Sequence, residues 1–240
     1  MNRLLKILVL SIFAVFLCIG SASAIPSYQN GVFDKSEYNS VFSEDTYTQS
    51  YLNPGYGGQA YDAEYLGLSL EGSILYFGLQ AGLGLNSIDA ATSGYRQPGD
   101  LAINIDNDDT WDFGIRFWDG NMRVLDGSGG WTGVAYSQHD ESGSWRVSSS
   151  ENVKMSMTNN IFFGDTTDSW GQRSYSLEGW LDLGTLGYVS GPVAANFTML
   201  CGNDYVRTSA NPVPEPATML LFGVGLIGVA GFGRKKLIKK

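Results

Sequence analysis

Histidine occurs once in this 240-residue chain, at His139, and cysteine only at Cys18 and Cys201. Structural zinc sites draw mostly on several Cys and His ligands, so zinc is excluded. His139 lies in the polar stretch Ser137-Gln138-His139-Asp140-Glu141-Ser142-Gly143, which reads as a solvated loop rather than as the seat of a general base. The G-x-S-x-G elbow of serine hydrolases is missing. Basic residues are scarce where they would matter. Of 15 basic and 24 acidic residues, two basic ones fall in the first 24 positions, and five basic and one acidic in the last 27. The 189 residues between hold 8 basic against 23 acidic side chains. A surface of that sign repels nucleic acid and anionic lipid and favours solubility, cations or cationic partners. No stretch of this central body keeps a 3.6-residue apolar period over three turns, so a helical fold is excluded too.

What the chain does have stands at its two ends. Arg3 and Lys6 precede the apolar run Ile7 to Ile19, and Ala22-Ser23-Ala24 follows. This is the three-part pattern of a secretory signal, residues 1–24, cut by signal peptidase after Ala24. Cys18 follows Phe16-Leu17 rather than small residues, which argues against lipoprotein processing. Once the signal is gone Cys201 is the sole thiol, so the body folds without an internal disulfide and relies on its core. Cys201 itself reads as a buried thiol.

At the other end stand Val213-Pro214-Glu215-Pro216, the apolar run Ala217 to Phe232, and the basic cluster Arg234-Lys235-Lys236 with Lys239-Lys240. The run is shorter than the roughly 20 residues of a comfortable bilayer span. It has no polar face, however, and the trailing positive charges fit a cytoplasmic end. A single transmembrane helix over 217–233 in the inner membrane is expected. Gly223-Val224-Gly225-Leu226-Ile227-Gly228 spells the dinucleotide-binding string, but no strand leads into it and the chain ends before the acidic partner could appear. It is a coincidence of a Gly-rich membrane segment.

Val213-Pro214-Glu215-Pro216-Ala217-Thr218, the Gly-rich span and the Arg234 cluster together resemble the PEP-CTERM sorting signal of exported Gram-negative proteins. The same tail is also described as ice-binding protein C-terminal, a label for the tail alone; the body has no Thr-x-Thr ladder. The resemblance implies recognition and removal of the tail by an exosortase-like membrane enzyme, with Pro214, Glu215 and Pro216 as the sorting motif. It also implies a setting of exopolysaccharide production.

Between the ends, a two-residue alternation recurs. Leu66, Leu68 and Leu70 precede the turn pair Glu71-Gly72, and Leu75, Phe77 and Leu79 follow. Leu101-Ile103-Ile105 and Trp111-Phe113-Ile115-Phe117 flank Asp106 to Thr110 as a hairpin, with Asn104, Asp112 and Arg116 on the polar side. Further strands are expected at Val153–Met157, Tyr175–Leu183 and Ala195–Cys201. The fold class is all-β: an antiparallel β-sandwich or jelly-roll-like body. The domain plan is signal 1–24, a Tyr/Gly-rich opening segment 25–59, a body 60–210, and a sorting tail 211–240 (motif 213–216, membrane segment 217–233, basic end 234–240).

Ala60–Tyr65, Leu75-Tyr76, Pro98–Ile103, Asp112–Ile115 and Phe197–Asp204 look like a body type recurrent among PEP-CTERM proteins. Such bodies resemble the sandwiches of carbohydrate-binding and DOMON-like modules. Asn196-Phe197 stands where that type has His-Trp, and Ala63 where it has valine.

Three features offer chemistry. Asp106, Asp108 and Asp112 alternate in one tight loop and could supply oxygens to Ca²⁺, the one cofactor with a candidate site. The same residue types also make ordinary hairpin turns. Trp118 and Trp180 fall on the polar sides of their strands, where an indole beside carboxylates suits stacking on a sugar ring. The alternative for each is packing beneath a second layer. Tyr38, Tyr47, Tyr51, Tyr56, Tyr61 and Tyr65 carry the same two readings.

The expected function is an exported, non-enzymatic protein. It is anchored transiently in the inner membrane and delivered to the cell surface or an exopolysaccharide matrix. A carbohydrate-binding module, calcium-assisted or not, is the alternative, and a glycoside-active enzyme built on a carboxylate pair the third. The expected partners are signal peptidase, an exosortase-like enzyme, the inner membrane and exopolysaccharide, not nucleic acid.

Overall fold

Alternating apolar and polar residues give a strand one face that must leave water, and pairing such strands satisfies their backbone groups. The computed structural model describes residues 30–43, 59, 62–86, 97–108, 110–134, 144–149, 151–167, 171–202 and 204–213. Within them are β1 (Ser40–Ser43), β2 (Ala63–Glu71), β3 (Ile74–Ala81), β4 (Leu101–Asn104), β5 (Phe113–Arg116), β6 (Arg123–Asp126) and β7 (Trp131–Gly133). They continue with β8 (Ser144–Val147), β9 (Val153–Ser156), β10 (Ile161–Thr167), β11 (Arg173–Asp182), β12 (Val193–Thr198), β13 (Tyr205–Ala210) and β14 (Pro212–Val213). The signal segment with its cleavage point after Ala24, Tyr47, Tyr51, Tyr56, Tyr61, His139, and the tail from Pro214 onward lie outside the described residues. Among the described residues no helix is long and apolar enough to cross a membrane.

One sheet runs β1-β2-β3-β11-β10, with β14 joined in parallel to β2; the other runs β13-β12-β4-β5-β6-β9. All other strand pairs are antiparallel, as the alternation implied. The β2–β3 hairpin closes with Leu70 opposite Leu75 and Glu71 opposite Ile74. That leaves Gly72-Ser73 as a two-residue loop, and Gly72 takes φ +60°, the left-handed geometry such turns require. The two sheets bury their apolar faces against one another. Leu66, Leu68, Phe77, Leu79 and Leu181 of the first share a core with Ile103, Ile115, Val124 and Phe197 of the second. Phe117 and Phe197 meet with ring centroids 6.1 Å apart. Each such side chain contributes on the order of 1.5–3 kcal/mol by leaving water. Cys201 is buried in the same core, as expected.

The body extends beyond 60–210 at both ends. Residues 30–43, from the opening segment, cross the outer face of the first sheet and then pair with β2 as β1. Pro212 and Val213, assigned to the tail, pair with Leu70 and Glu71. Neither extension carries an alternation long enough to mark a strand.

The sandwich has two distinct ends. At one lie the Gly72-Ser73 turn, the close of β11 at Asp182, the Asn104–Asp112 loop and the departure of β14. At the other lie Ala81, Tyr175 and the Pro98–Met199 bridge. The eight residues of β3 separate these ends by about 24 Å at the usual rise of a strand.

Candidate functional site

The outer face of the first sheet is organised by its register. Gly67 stands opposite Gly78, and Gly78 opposite Glu178. Two adjacent glycines leave a trough, and the ring of Tyr38 lies in it. A Cβ added at either position would collide with that ring. Phe33 stacks on Tyr38 at 5.1 Å and on Tyr65 at 5.7 Å, and the Lys35 ammonium sits 3.7 Å from the centre of the Tyr65 ring. Tyr38 and Tyr65 therefore serve packing, and residues 30–39 form a strap across the sheet.

Glu178 ties the strap down. Its Oε1 accepts a 3.0 Å hydrogen bond from the Tyr38 hydroxyl, and its Oε2 one of 3.1 Å from the Gly31 amide. The Ser176 hydroxyl donates to the Gly31 carbonyl at 2.5 Å. Burial pushes the Glu178 carboxyl up to about 7; the Tyr38 hydrogen bond opposes the shift and the neighbouring Glu37 charge adds to it. Glu37 is itself raised, chiefly by burial. Further along the same face Glu64 is fully buried and accepts hydrogen bonds from Gln59, Gln80 and Ser174. Burial raises it too, to about 7, against those hydrogen bonds.

A pair of carboxyls with raised pKa is the signature of many active sites. This pair does not present itself to a substrate. Glu178 is wholly buried beneath the strap. Its two oxygens are engaged by the strap itself, through the Tyr38 hydroxyl and the Gly31 amide.

Beyond the strap, the same face carries aromatic side chains. Trp180 is half-buried and lies opposite Tyr76; Phe162, also half-buried, lies opposite Glu178 one rung away. The period of two turns all three rings outward. The sheet thus joins Trp180 to two aromatics, Tyr76 and Phe162, that sequence reasoning did not select. The signal was present only as a spacing across strands, which needs the pairing to be read.

Trp118 differs from the expectation of an exposed ring. It is 7 % exposed, because the β7–β8 hairpin covers the outer face of the second sheet. Its indole Nε1 donates to Asp100 at 2.9 Å, and the Arg146 guanidinium lies 3.4 Å from the ring centre. Asp100, fully buried, also accepts from Arg116 Nε at 2.9 Å, Arg116 Nη2 at 2.8 Å and the Val147 amide at 2.9 Å. Burial lowers Arg146 to about 10, which leaves it charged at neutral pH. This is a clasp between hairpin and sheet, and it leaves the Trp118 ring closed to a glycan.

The 106–112 loop is built as a series of side-chain-closed turns. Asn104 Oδ1 accepts from the Asp106 and Asn107 amides at 3.2 and 2.7 Å. Asp106 accepts from the Asp108 amide at 3.2 Å, Asp108 from the Thr110 amide at 2.6 Å, and Asp112 from the Ile105 amide at 2.8 Å. The hydrogen bonds from Thr110 hold Asp108 below the usual carboxylate range, while burial raises Asp112. Asp106, Asp108 and Asp112 thus each satisfy a backbone amide of their own loop. Among the described residues no three His, Cys, Asp or Glu side chains are grouped to hold a metal ion.

The root of the tail is the last geometric element. Ala210 ends β13 buried against the core, and Pro212-Val213 then pairs with the close of β2. The chain therefore leaves the sheet at the edge of the first sandwich layer, immediately before Pro214.

Residues 212–235 match the PEP-CTERM protein-sorting motif. Motifs of this kind are recognised by exosortase membrane enzymes, and the motif marks the chain as an exported, exosortase-sorted protein that passes the membrane before reaching the cell surface. No curated protein and no solved structure matches the chain.

Proposed function

We propose that this protein is a non-enzymatic cell-surface or exopolysaccharide-matrix protein: a β-sandwich delivered by its sorting tail. The observation that carries this reading is the motif at 212–235, which starts within β14 where the sheet ends. The folded body and the processing signal are thereby contiguous, as suits a passenger released with its sandwich intact. The closed carboxyl pair and the clasped Trp118 favour a structural body over a catalytic one. The test is export in a host that carries an exosortase, followed by mass spectrometry of the mature termini. Chains beginning at Ile25 and lacking the basic end agree with the proposal; a mature chain retaining Lys240 overturns it.

A second reading, glycan binding, is favoured by one specific observation. Trp180, Tyr76 and Phe162 share the outward face of the first sheet beside the strap, and flat aromatic surfaces with polar neighbours suit the apolar faces of sugar rings. Affinity electrophoresis of the exported protein through the host's own polysaccharide tests it. Retardation that vanishes in Trp180→Ala supports it, and unretarded migration of the wild type on that polysaccharide removes it.

A further inference from the structure

At the end of the sandwich remote from β14, the chain leaves β3 and bends through Leu85 and Asn86. Between this bend and the edge formed by β10 and β11 lies an open cavity of about 280 Å³. Leu85, 1 % exposed, belongs to the core, and Phe163 and Tyr175 pack against that core as half-buried rings lining the cavity. Asp165 stands opposite Tyr175 in the β10–β11 ladder and lines it as well, with exposed Asn86. Arg173 bonds Asp165 at 3.0 Å and lies over the Tyr175 ring, 4.9 Å from its centre.

The lining combines two kinds of surface. Phe163, Tyr175 and Leu85 offer apolar faces. Asp165, Asn86 and the nearby Arg173 offer a carboxylate, an amide and a guanidinium, a set that both accepts and donates hydrogen bonds. The Asp165 and Arg173 side chains remain 65 % and 67 % exposed, so each keeps hydrogen-bonding capacity beyond their own contact. Their charges cancel, which gives an anionic or cationic ligand no net attraction at this spot. The volume lies just below the range typical of drug-sized ligand pockets, roughly 300–1,000 Å³, and so suits a molecule of about one ring. One ring with apolar faces, a neutral charge and an edge of adjacent donors and acceptors describes a pyranose.

We propose that this cavity binds a single neutral sugar residue, such as the end or a branch of a polysaccharide chain. Tyr175 and Phe163 meet the ring, and Asp165 and Asn86 bond its hydroxyls. The position fits the sorting reading. β14 leaves from the opposite end of the sandwich, so a membrane-tethered chain would carry the cavity on the end away from its tether. The proposal rests on the glycan reading but names a different surface from the Trp180 face, and the two separate experimentally.

The probes are methyl glycosides of glucose, galactose, mannose and N-acetylglucosamine, offered at millimolar concentration to the exported full chain. Saturation-transfer NMR reads binding. The expected result is transfer to at least one glycoside, at least tenfold weaker binding in Asp165→Asn/Asn86→Ala, and no change in Val189→Ala, a substitution at an exposed position outside both surfaces. Both altered side chains are exposed, and thermal melting confirms that the double variant is folded. If none of the four glycosides receives saturation, or if the double variant binds as the wild type does, the proposal is overturned. Should that happen while the wild type is still retarded by polysaccharide through Trp180, the glycan reading survives and only the cavity assignment falls.

Discussion

The Tyr38 hydroxyl donates a hydrogen bond to the Glu178 carboxylate across 140 positions of sequence, and the ring reaches it through the trough left by Gly67 and Gly78. This contact joins the strap to the centre of the first sheet.

A methyl group at either glycine should expel the ring. Gly78→Ala is expected to destabilise by about 1–3 kcal/mol, the usual range for overfilling a packed site. In a Tyr38→Ala background the ring is gone, and Gly78→Ala should then cost roughly 1 kcal/mol less. A double-mutant cycle by urea denaturation measures the difference; strict additivity would mean that the strap does not occupy the trough.

Stability should fall as pH rises through neutrality. Glu64 and Glu178 have folded values raised from 4.5 to about 7, so the folded state holds protons that the unfolded chain releases. Their contribution is complete below about 4.5 and is lost as pH passes about 7. Asp126, lowered to about 2, acts oppositely, but its stabilisation is lost only as pH falls through that low value. Thermal melts should therefore show a higher Tm at pH 5 than at pH 8.5, by roughly 4 °C or more, given about 2–4 °C per kcal/mol for a domain this size. Glu178→Gln, which cannot ionise, should flatten part of that slope.

The buried clasp and an exposed ion pair should separate cleanly. Asp100→Asn leaves Arg116 buried without its counter-charge and is expected to cost about 3–5 kcal/mol. Asp165→Asn breaks the exposed pair with Arg173 and should leave stability nearly unchanged. Equilibrium denaturation of the two variants side by side checks the ranking.

The two tryptophans should likewise part company. Trp118→Ala removes a buried ring and is expected to cost about 3–5 kcal/mol. Trp180→Ala should leave stability within about 1 kcal/mol and weaken polysaccharide retardation about tenfold, the equivalent of roughly 1.4 kcal/mol. EDTA should shift neither Tm nor retardation, because the 106–112 carboxylates already bond their own loop.

The alternation of leucines at 66, 68 and 70, and of apolar residues at 101–105 and 111–117, was enough to identify strands, a hairpin and an all-β body. A period of two is a local property, legible without knowing any partner. The sorting tail was legible for the same reason: its order of motif, apolar run and basic end lies within a few tens of consecutive residues. What covers the outer faces was not legible. Arg116 and Trp118 both bond Asp100 and both are buried, because a hairpin that follows them in sequence folds over them. Glu178 and Tyr38, or Trp180 with Tyr76 and Phe162, become neighbours only through strand order and register. Those depend on how the two sheets close, and no local pattern encodes that. The chain's own residues therefore determined its class and its address, while tertiary pairing alone decided which acids are sealed, which tryptophan stays open, and where a cavity remains.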